Sequence, residues 1–362
     1  MRIPNSGVSV LSRKGQQIDF WKFIFAVYIV IYHYLGHARS ITTGGYISVE
    51  FFFIVSGYFM MHQFETYMSK DGEKEKYPLY HIQKRFARLY PIYIFAYLIS
   101  LAVFAITREA SFVDVIAKVY QSFPEMFMLR IEGRTSVNGV SWFVAAMLIA
   151  GLIIAGLLTL SKKFYSLCLA PLSVILIYSA FFYSTGKIHL ITSNNLTPYI
   201  NDAIFRAFAG MSLGVFMWEI VRLCKELKIK PAVISGGAIL GNALIIVVVA
   251  FSFRNYHGFC DFWYIFLFFV SVILINLGTN NNQKSSNVER YIEKVTNLSY
   301  PIFLIHEPVW KLFRAYEPID STALTVVIIV VIVILLSRIS DVAIDGISRR
   351  LLFIIRKGFI KG

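Results

Sequence analysis

Apolar residues run along this chain in blocks of about 20, the length a helix needs to cross the hydrocarbon core of a bilayer. Ten such blocks are expected, roughly at residues 18–38, 45–66, 86–106, 138–160, 167–185, 203–221, 232–252, 261–279, 298–315 and 322–340. Polar connections separate them, including 67–84 (YMSKDGEKEKYPLYHIQK), 222–230 (RLCKELKIK) and the Asn-rich 280–296. The least regular blocks are 167–185, which contains Pro171, and 298–315, which contains polar residues with Pro301 and Pro308. Residues 107–137 are mixed and read as an amphipathic segment lying on the membrane, and 341–361 as a basic amphipathic helix at its surface. The pattern predicts an all-α, polytopic transmembrane helical bundle of about ten spans. The first block is expected to stay in the protein, because Asp19 and Lys22 interrupt its start and no small-residue cleavage site follows.

Composition narrows the class. Hydrophobic residues make up 57% of the 362 and charged ones only 15%, against about 25% in soluble domains. A soluble core could not hide this much apolar sequence. The net charge of +14 would suggest nucleic acid in a soluble protein. Here the basic residues lie between apolar blocks, so membrane topology and anionic headgroups account for them, and no nucleic-acid partner is expected. With the N-terminus inside, the cytoplasmic segments hold 24 Lys and Arg and the external ones 10, while Lys22 lies inside a span. Both termini are therefore expected in the cytoplasm.

Charges retained inside spans are costly and mark function or a buried pair. The first block, IDFWKFIFAVYIVIYHY, carries Asp19 and Lys22 near its cytoplasmic end and His33 eleven residues after Lys22. That separation is about 16 Å along a helix and brings Lys22 and His33 to nearly one face, with His33 in the outer half of the membrane. His33 reads either as a functional group or as an interfacial histidine bonded to a neighbouring span. The second block, SVEFFFIVSGYFM, runs inward and holds Glu50 at comparable depth. A carboxylate beside an imidazole fixes its tautomer and stabilises the imidazolium. Such a histidine can take a proton from a hydroxyl while that oxygen attacks an acyl carbon. A purely structural His–Glu pair is the other reading. Ser56 and Gly57 read as close helix packing.

Arg85 and Arg88 stand at i, i+3 on the cytoplasmic edge of the third block. They read either as a phosphate clamp or as positive-inside anchors, and with Lys22 at the same depth they form a cationic cluster. Trp142 opens the fourth block externally, where tryptophan is most often a belt residue. The spacing of Arg206 suits a pair with Asp202 at i−4. His306 and Glu307 lie between two prolines, suggesting a kinked helix that lines a cavity, with packing an equal alternative for His306. No tight metal-ligand spacing and no phosphate loop appears, so neither a metal site nor ATP-driven work is expected.

Three motifs in order give the chain its resemblance. The first is Asp19, two residues, Lys22, ten residues and His33. The second is Ser48-Val49-Glu50-Phe51-Phe52-Phe53-Ile54-Val55-Ser56-Gly57-Tyr58. The third is Arg85-Phe86-Ala87-Arg88-Leu89-Tyr90-Pro91-Ile92-Tyr93. Weaker echoes follow in Ser141-Trp142-Phe143, in Arg206 with Gly210 and Gly214, and in Ser299-Tyr300 with His306 and Pro308. In these motifs the chain resembles the membrane acyltransferase 3 family, bacterial enzymes that O-acylate cell-surface glycans. Lysine stands at Lys22 where that family often has arginine, and glutamate at Glu50 where it usually has aspartate.

The resemblance implies that His33 is the catalytic base and Glu50 its partner, with Lys22, Arg85 and Arg88 on the acyl-donor side. Asp19, Ser56, Trp142, Arg206, Tyr300 and His306 would be supporting or acceptor-side residues. It implies a transmembrane acyltransferase domain at 1–345 and a basic cytoplasmic amphipathic tail at 346–362. The implied reaction transfers acetyl from acetyl-CoA to a hydroxyl of a cell-surface polysaccharide or its lipid-linked precursor (exopolysaccharide, capsule or O-antigen). That makes an O-acetyltransferase, an acyltransferase of groups other than amino-acyl groups, in the bacterial inner membrane. Its partners would be the acyl-CoA donor, the glycan and membrane lipids, with no permanently bound cofactor; a homo-oligomer is left open. The rival class is a transporter or flippase for a glycan or acyl compound, which also keeps ionisable residues in spans. Against it, the chain has no inverted repeat, and its charges concentrate in the first three blocks.

Overall fold

A helix satisfies every backbone hydrogen bond within itself, which suits a chain whose apolar side chains face lipid. The computed structural model describes residues 13–39, 41, 43–129, 136–186, 188, 201–227, 230–254, 258–278, 295–316 and 321–359, and among them the regular structure is helical. The helices are α1 (Arg13–Arg39), α2 (Ile47–Met68), α3 (Tyr77–Thr107), α4 (Phe112–Gln121), α5 (Phe123–Met126), α6 (Ser141–Phe164) and α7 (Ala170–Thr185). They continue as α8 (Asp202–Glu226), α9 (Pro231–Phe253), α10 (Cys260–Leu277), α11 (Ser299–Tyr316) and α12 (Thr322–Phe359). Of the expected connection 280–296, residues 280–294 lie outside the described residues, as do 130–135 of the 107–137 segment and both chain ends, 1–12 and 360–362.

Among the described residues, eight helical runs are long and apolar enough to cross a membrane, where ten were expected. The difference has two sources. The blocks at 138–160 and 167–185 form one helical run, Ser141–Thr185, of 45 residues. At 1.5 Å per residue it is about twice the thickness of a bilayer core. It is broken at Ser161, whose backbone is extended (φ −153°, ψ 98°), and again by a π-helical turn over Tyr165–Leu169. The polar group that follows the break is pinned: Lys162 pairs with Glu65 of α2 and lies 3.8 Å from Glu219 of α8. Ser166 donates to the same Glu219 at 3.1 Å. The second source is α11, which carries His306, Glu307, Lys311 and Arg314 and so falls short in apolarity. It is nevertheless enclosed, buried without interruption from Pro301 to Trp310.

α1, α2 and α8 form the middle of the molecule. On one side α3, α6, α11 and α12 share an apolar core with them; on the other, α7, α9 and α10 share a second. α2 and α8 make the most intimate contact. A Cβ at Gly57 would stand 1.9 Å from the Met211 carbonyl oxygen, and one at Gly214 would stand 2.0 Å from that of Ile54. The two backbones touch, and the close packing expected at Gly57 follows from it. On the outer edge, α4 presents Phe112, Val113, Ile116 and Tyr120 as exposed apolar side chains.

The contact can be tested by adding a methyl group. Gly57→Ala and Gly214→Ala must separate the two backbones and are expected to cost about 1–3 kcal/mol each. Gly156→Ala, which meets nothing within 4 Å, is expected to be neutral or stabilising by up to about 1 kcal/mol. Unfolding of the purified variants in detergent, followed by size exclusion after heating, measures the order.

Candidate active site

The N-terminal ends of α2 and α8 are joined by a buried ion pair. Glu50, fully buried in the first turn of α2, accepts from Arg206 Nε of α8 and, at 2.5 Å, from the Tyr178 hydroxyl of α7. Arg206 also donates from Nη2 to the Tyr46 carbonyl at 3.2 Å and lies 5.9 Å from the Trp142 ring of α6. Its partner is thus Glu50 and not Asp202, the spacing-based expectation. The Tyr46 hydroxyl donates to Asp261 of α10 at 2.5 Å, and Asp261 accepts the Ile188 amide at 3.1 Å. One chain of polar contacts therefore ties α2, α6, α7, α8 and α10 together at one level. Desolvated charges of this kind hold only as a pair.

The histidine expected beside Glu50 faces a second histidine. The rings of His33 (α1) and His306 (α11) lie with centroids 5.2 Å apart, and Tyr32 stands edge-on to His33 at 5.1 Å. His33 is partly exposed. His306 is wholly buried, and neither of its ring nitrogens has a hydrogen-bond partner among the described residues. The carbonyls of Ile302 and Phe303 in the preceding turn lie near the ring, and a buried imidazole without a well-formed hydrogen bond is costly. Glu307, its neighbour, turns the other way. It accepts the Val140 amide at 2.7 Å and pairs with Lys311 at 2.5 Å. Gly139 admits this approach, since a Cβ there would meet the Glu307 carboxylate at 2.6 Å.

The segment leading into α6 is clamped from two sides. Glu125 of α5, fully buried, accepts the amides of Val137 and Asn138, each at 2.9 Å, and Asn138 Nδ2 donates to the Leu304 carbonyl at 2.9 Å. Tyr93 of α3 secures α5 by donating to the Glu125 carbonyl at 2.7 Å. Glu125, Asn138 and Tyr178 were not found from the sequence. Tyr178 carries a faint signal as a hydroxyl in an apolar block; Glu125 sits in a mixed stretch and carries none.

The cationic residues lie beside the middle of α2. Lys22 pairs with Asp19 and stands 5.6 Å from the Phe59 ring. Arg85 donates to the Ser56 carbonyl at 3.4 Å. Ser56 and Phe59 are one turn apart, which brings Lys22 and Arg85 to one level; Arg88 is exposed one turn further along α3. Tyr300, expected on the acceptor side or in support, donates to the Leu89 carbonyl at 3.3 Å, so its hydroxyl sits beside Arg88. Ser56 donates to the Met147 sulfur at 3.5 Å. Although α2 is mostly buried, Phe52, Ser56, Phe59 and Gln63 are each partly exposed. Their 4-3-4 spacing puts them on one face, with Lys22 and Arg85 beside it. Among the described residues, no group of three His, Cys, Asp or Glu side chains is placed to hold a metal.

Arg206→Met leaves Glu50 buried and unpaired and is expected to cost about 3–5 kcal/mol. Glu50→Gln combined with Arg206→Met removes both charges, and the double variant should be more stable than the single Arg206 variant. A double-mutant cycle on unfolding in mixed detergent micelles reads the coupling; additive costs would disprove the pair.

The comparisons with known proteins agree with the motifs. The acyltransferase 3 family model, described as an acyltransferase domain, matches residues 16–340. No curated protein and no solved structure matches the chain significantly. Apolar helices long enough to cross a membrane and a family match over most of its length make this chain a membrane acyltransferase, a member of the acyltransferase 3 family.

Proposed function

We propose that the protein transfers a short acyl group, most simply acetyl from acetyl-CoA, to a hydroxyl of a cell-surface polysaccharide or its lipid-linked precursor. The observation that carries this reading is the approach of His33 to the buried His306. It lies just beyond the accessible face of α2 that Lys22 and Arg85 border. CoA phosphates meet Lys22, Arg85 and Arg88 from the cytoplasmic end, as the excess of basic residues in the inner segments suggests. The pantetheine arm follows Gln63, Phe59 and Ser56 outward, and the thioester arrives at the histidines.

The acceptor hydroxyl comes from the outer end, against Trp142. His33 takes its proton as the oxygen attacks the thioester carbon. The C–S bond breaks as the new O–C bond forms, and the proton passes from the imidazolium to the departing CoA thiolate. His306 donates to or accepts from the reacting oxygens. Glu50 acts through the charge it places in this layer and through Arg206 and Trp142, which it holds in position. Direct transfer needs no acyl-enzyme. In this reading both termini are cytoplasmic, and the broken run Ser141–Thr185 and the enclosed α11 supply the remaining crossings of a ten-span topology in the bacterial inner membrane.

Purified protein in lipid nanodiscs, given acetyl-CoA and the isolated glycan, should release free CoA and acetylate the glycan. His33→Ala is expected to lower kcat at least about 100-fold, the range for loss of a general base. Arg85→Ala is expected to raise the KM for acetyl-CoA with a smaller effect on kcat. Full acyl-CoA-dependent transfer by His33→Ala would overturn the assignment.

A further inference from the structure

Between the level of Lys22 and Arg85, at the middle of α2, and the histidine pair lies a layer of three phenylalanines, one from each of three helices. Phe52 (α2), Phe143 (α6) and Phe303 (α11) form a closed triangle with ring centroids at 6.1, 6.2 and 4.8 Å. Phe53 stacks on Phe143 at 4.8 Å and backs the triangle. Each helix shows the same vertical order. One turn inward stand Ser56, Met147 and Tyr300, at the level of Arg85 and Arg88. One turn outward stand Val49 with Glu50, then Val140, and His306. Phe303 touches His306, at 5.9 Å between centroids. The accessible face of α2 ends at Phe52; the residues from Ile47 to Phe51 are buried. Phe143 and Phe303 are themselves buried at 5% and 4%.

We propose that the Phe52–Phe143–Phe303 triangle is a gate that selects the acyl group by size and charge. This inference rests on the donor route proposed above. A thioester travelling outward along α2 arrives acyl end first, so the acyl group must part the rings before the carbonyl reaches His33. None of the three side chains carries a polar atom. An ionised carboxylate would cross the layer unsolvated, and a buried charge without a partner is strongly disfavoured. A small uncharged group passes by turning phenyl rings; each added methylene asks for more displacement in a tightly packed layer. The gate admits acetyl and disfavours butyryl and succinyl donors. The closed rings also keep cytoplasmic water from the histidines when no donor is bound.

The test compares acetyl-, butyryl- and succinyl-CoA with the wild-type protein and with Phe52→Ala, Phe303→Ala and the milder Phe303→Leu in nanodiscs. Size exclusion reports which variants are folded. The wild type should prefer acetyl over succinyl by about 100-fold or more in kcat/KM. The folded variants should shift the butyryl-to-acetyl ratio upward by about tenfold and raise acyl-CoA hydrolysis without acceptor. Wild-type use of succinyl-CoA on a par with acetyl-CoA would overturn the gate, as would an unchanged chain-length profile in folded, active variants. Consumption of no acyl-CoA at all by the wild type would instead refute the donor reading on which the gate depends.

Discussion

A glutamate with no exposure to solvent cannot stay ionised in an apolar interior unless a cation is delivered to it. Glu50 is such a residue, and Arg206 is delivered to it by the backbone contact of α2 with α8 at Gly57 and Gly214. The two constraints depend on each other. The glycines allow the helices near enough for the ion pair, and the pair fixes which turn of α8 faces which turn of α2. Tyr178 and Tyr46 extend the pair to α7 and, through Asp261, to α10. Everything at the outer level is set in height by this network, including Trp142 above Arg206 and the start of the helix that carries Phe143.

Polar groups are otherwise sorted by level. Carboxylates that hold backbone amides, Glu125 and Glu307, sit where the clamped segment enters α6. Lys162, Glu65 and Glu219 bind the inner ends of α2, α6 and α8. Lys22 and Arg85, by contrast, lie beside an accessible face, and Arg88 is exposed. His306 is buried with only the Ile302 and Phe303 carbonyls of its own helix near its ring.

Much of this was legible in the sequence wherever a polar residue interrupts an apolar block. Asp19, Lys22, His33, Glu50 and His306 announce themselves in this way, and most blocks fall close to a helix, but α3 begins at Tyr77 where its block was expected from 86, and α12 runs on to Phe359 through the segment expected as a separate surface helix. Partnerships across the chain were less legible. Arg206 has Asp202 four residues before it, yet it turns to Glu50, 156 positions away. Asp202 and Glu50 each stand in the first turn of a helix, so spacing along the chain does not tell which of them takes the guanidinium; the close contact of α2 with α8 decides it for Glu50. The break at Ser161 followed by two lysines was readable as the end of a block, but not that the helix would resume after one extended residue and a π turn. Glu125 could not be found, because its partners are backbone amides and amides leave no trace in a sequence pattern.

The phenylalanine layer shows why a rigid frame and a movable part can occupy the same three helices. Ring rotation needs no change in backbone, and the backbone here is the least free element, held by Gly57 against Met211 and by the clamps on α6. Phe143 is fixed at its outer side by the segment that Glu307 and Glu125 grip, and from behind by Phe53. Phe52 is the partly exposed member of the three and borders the accessible face. Phe303 leans on His306, so a ring displaced from below would press on the imidazole above it. Under the proposed donor route, the contact that closes the layer would link arrival of a donor to the position of a histidine, through side chains alone.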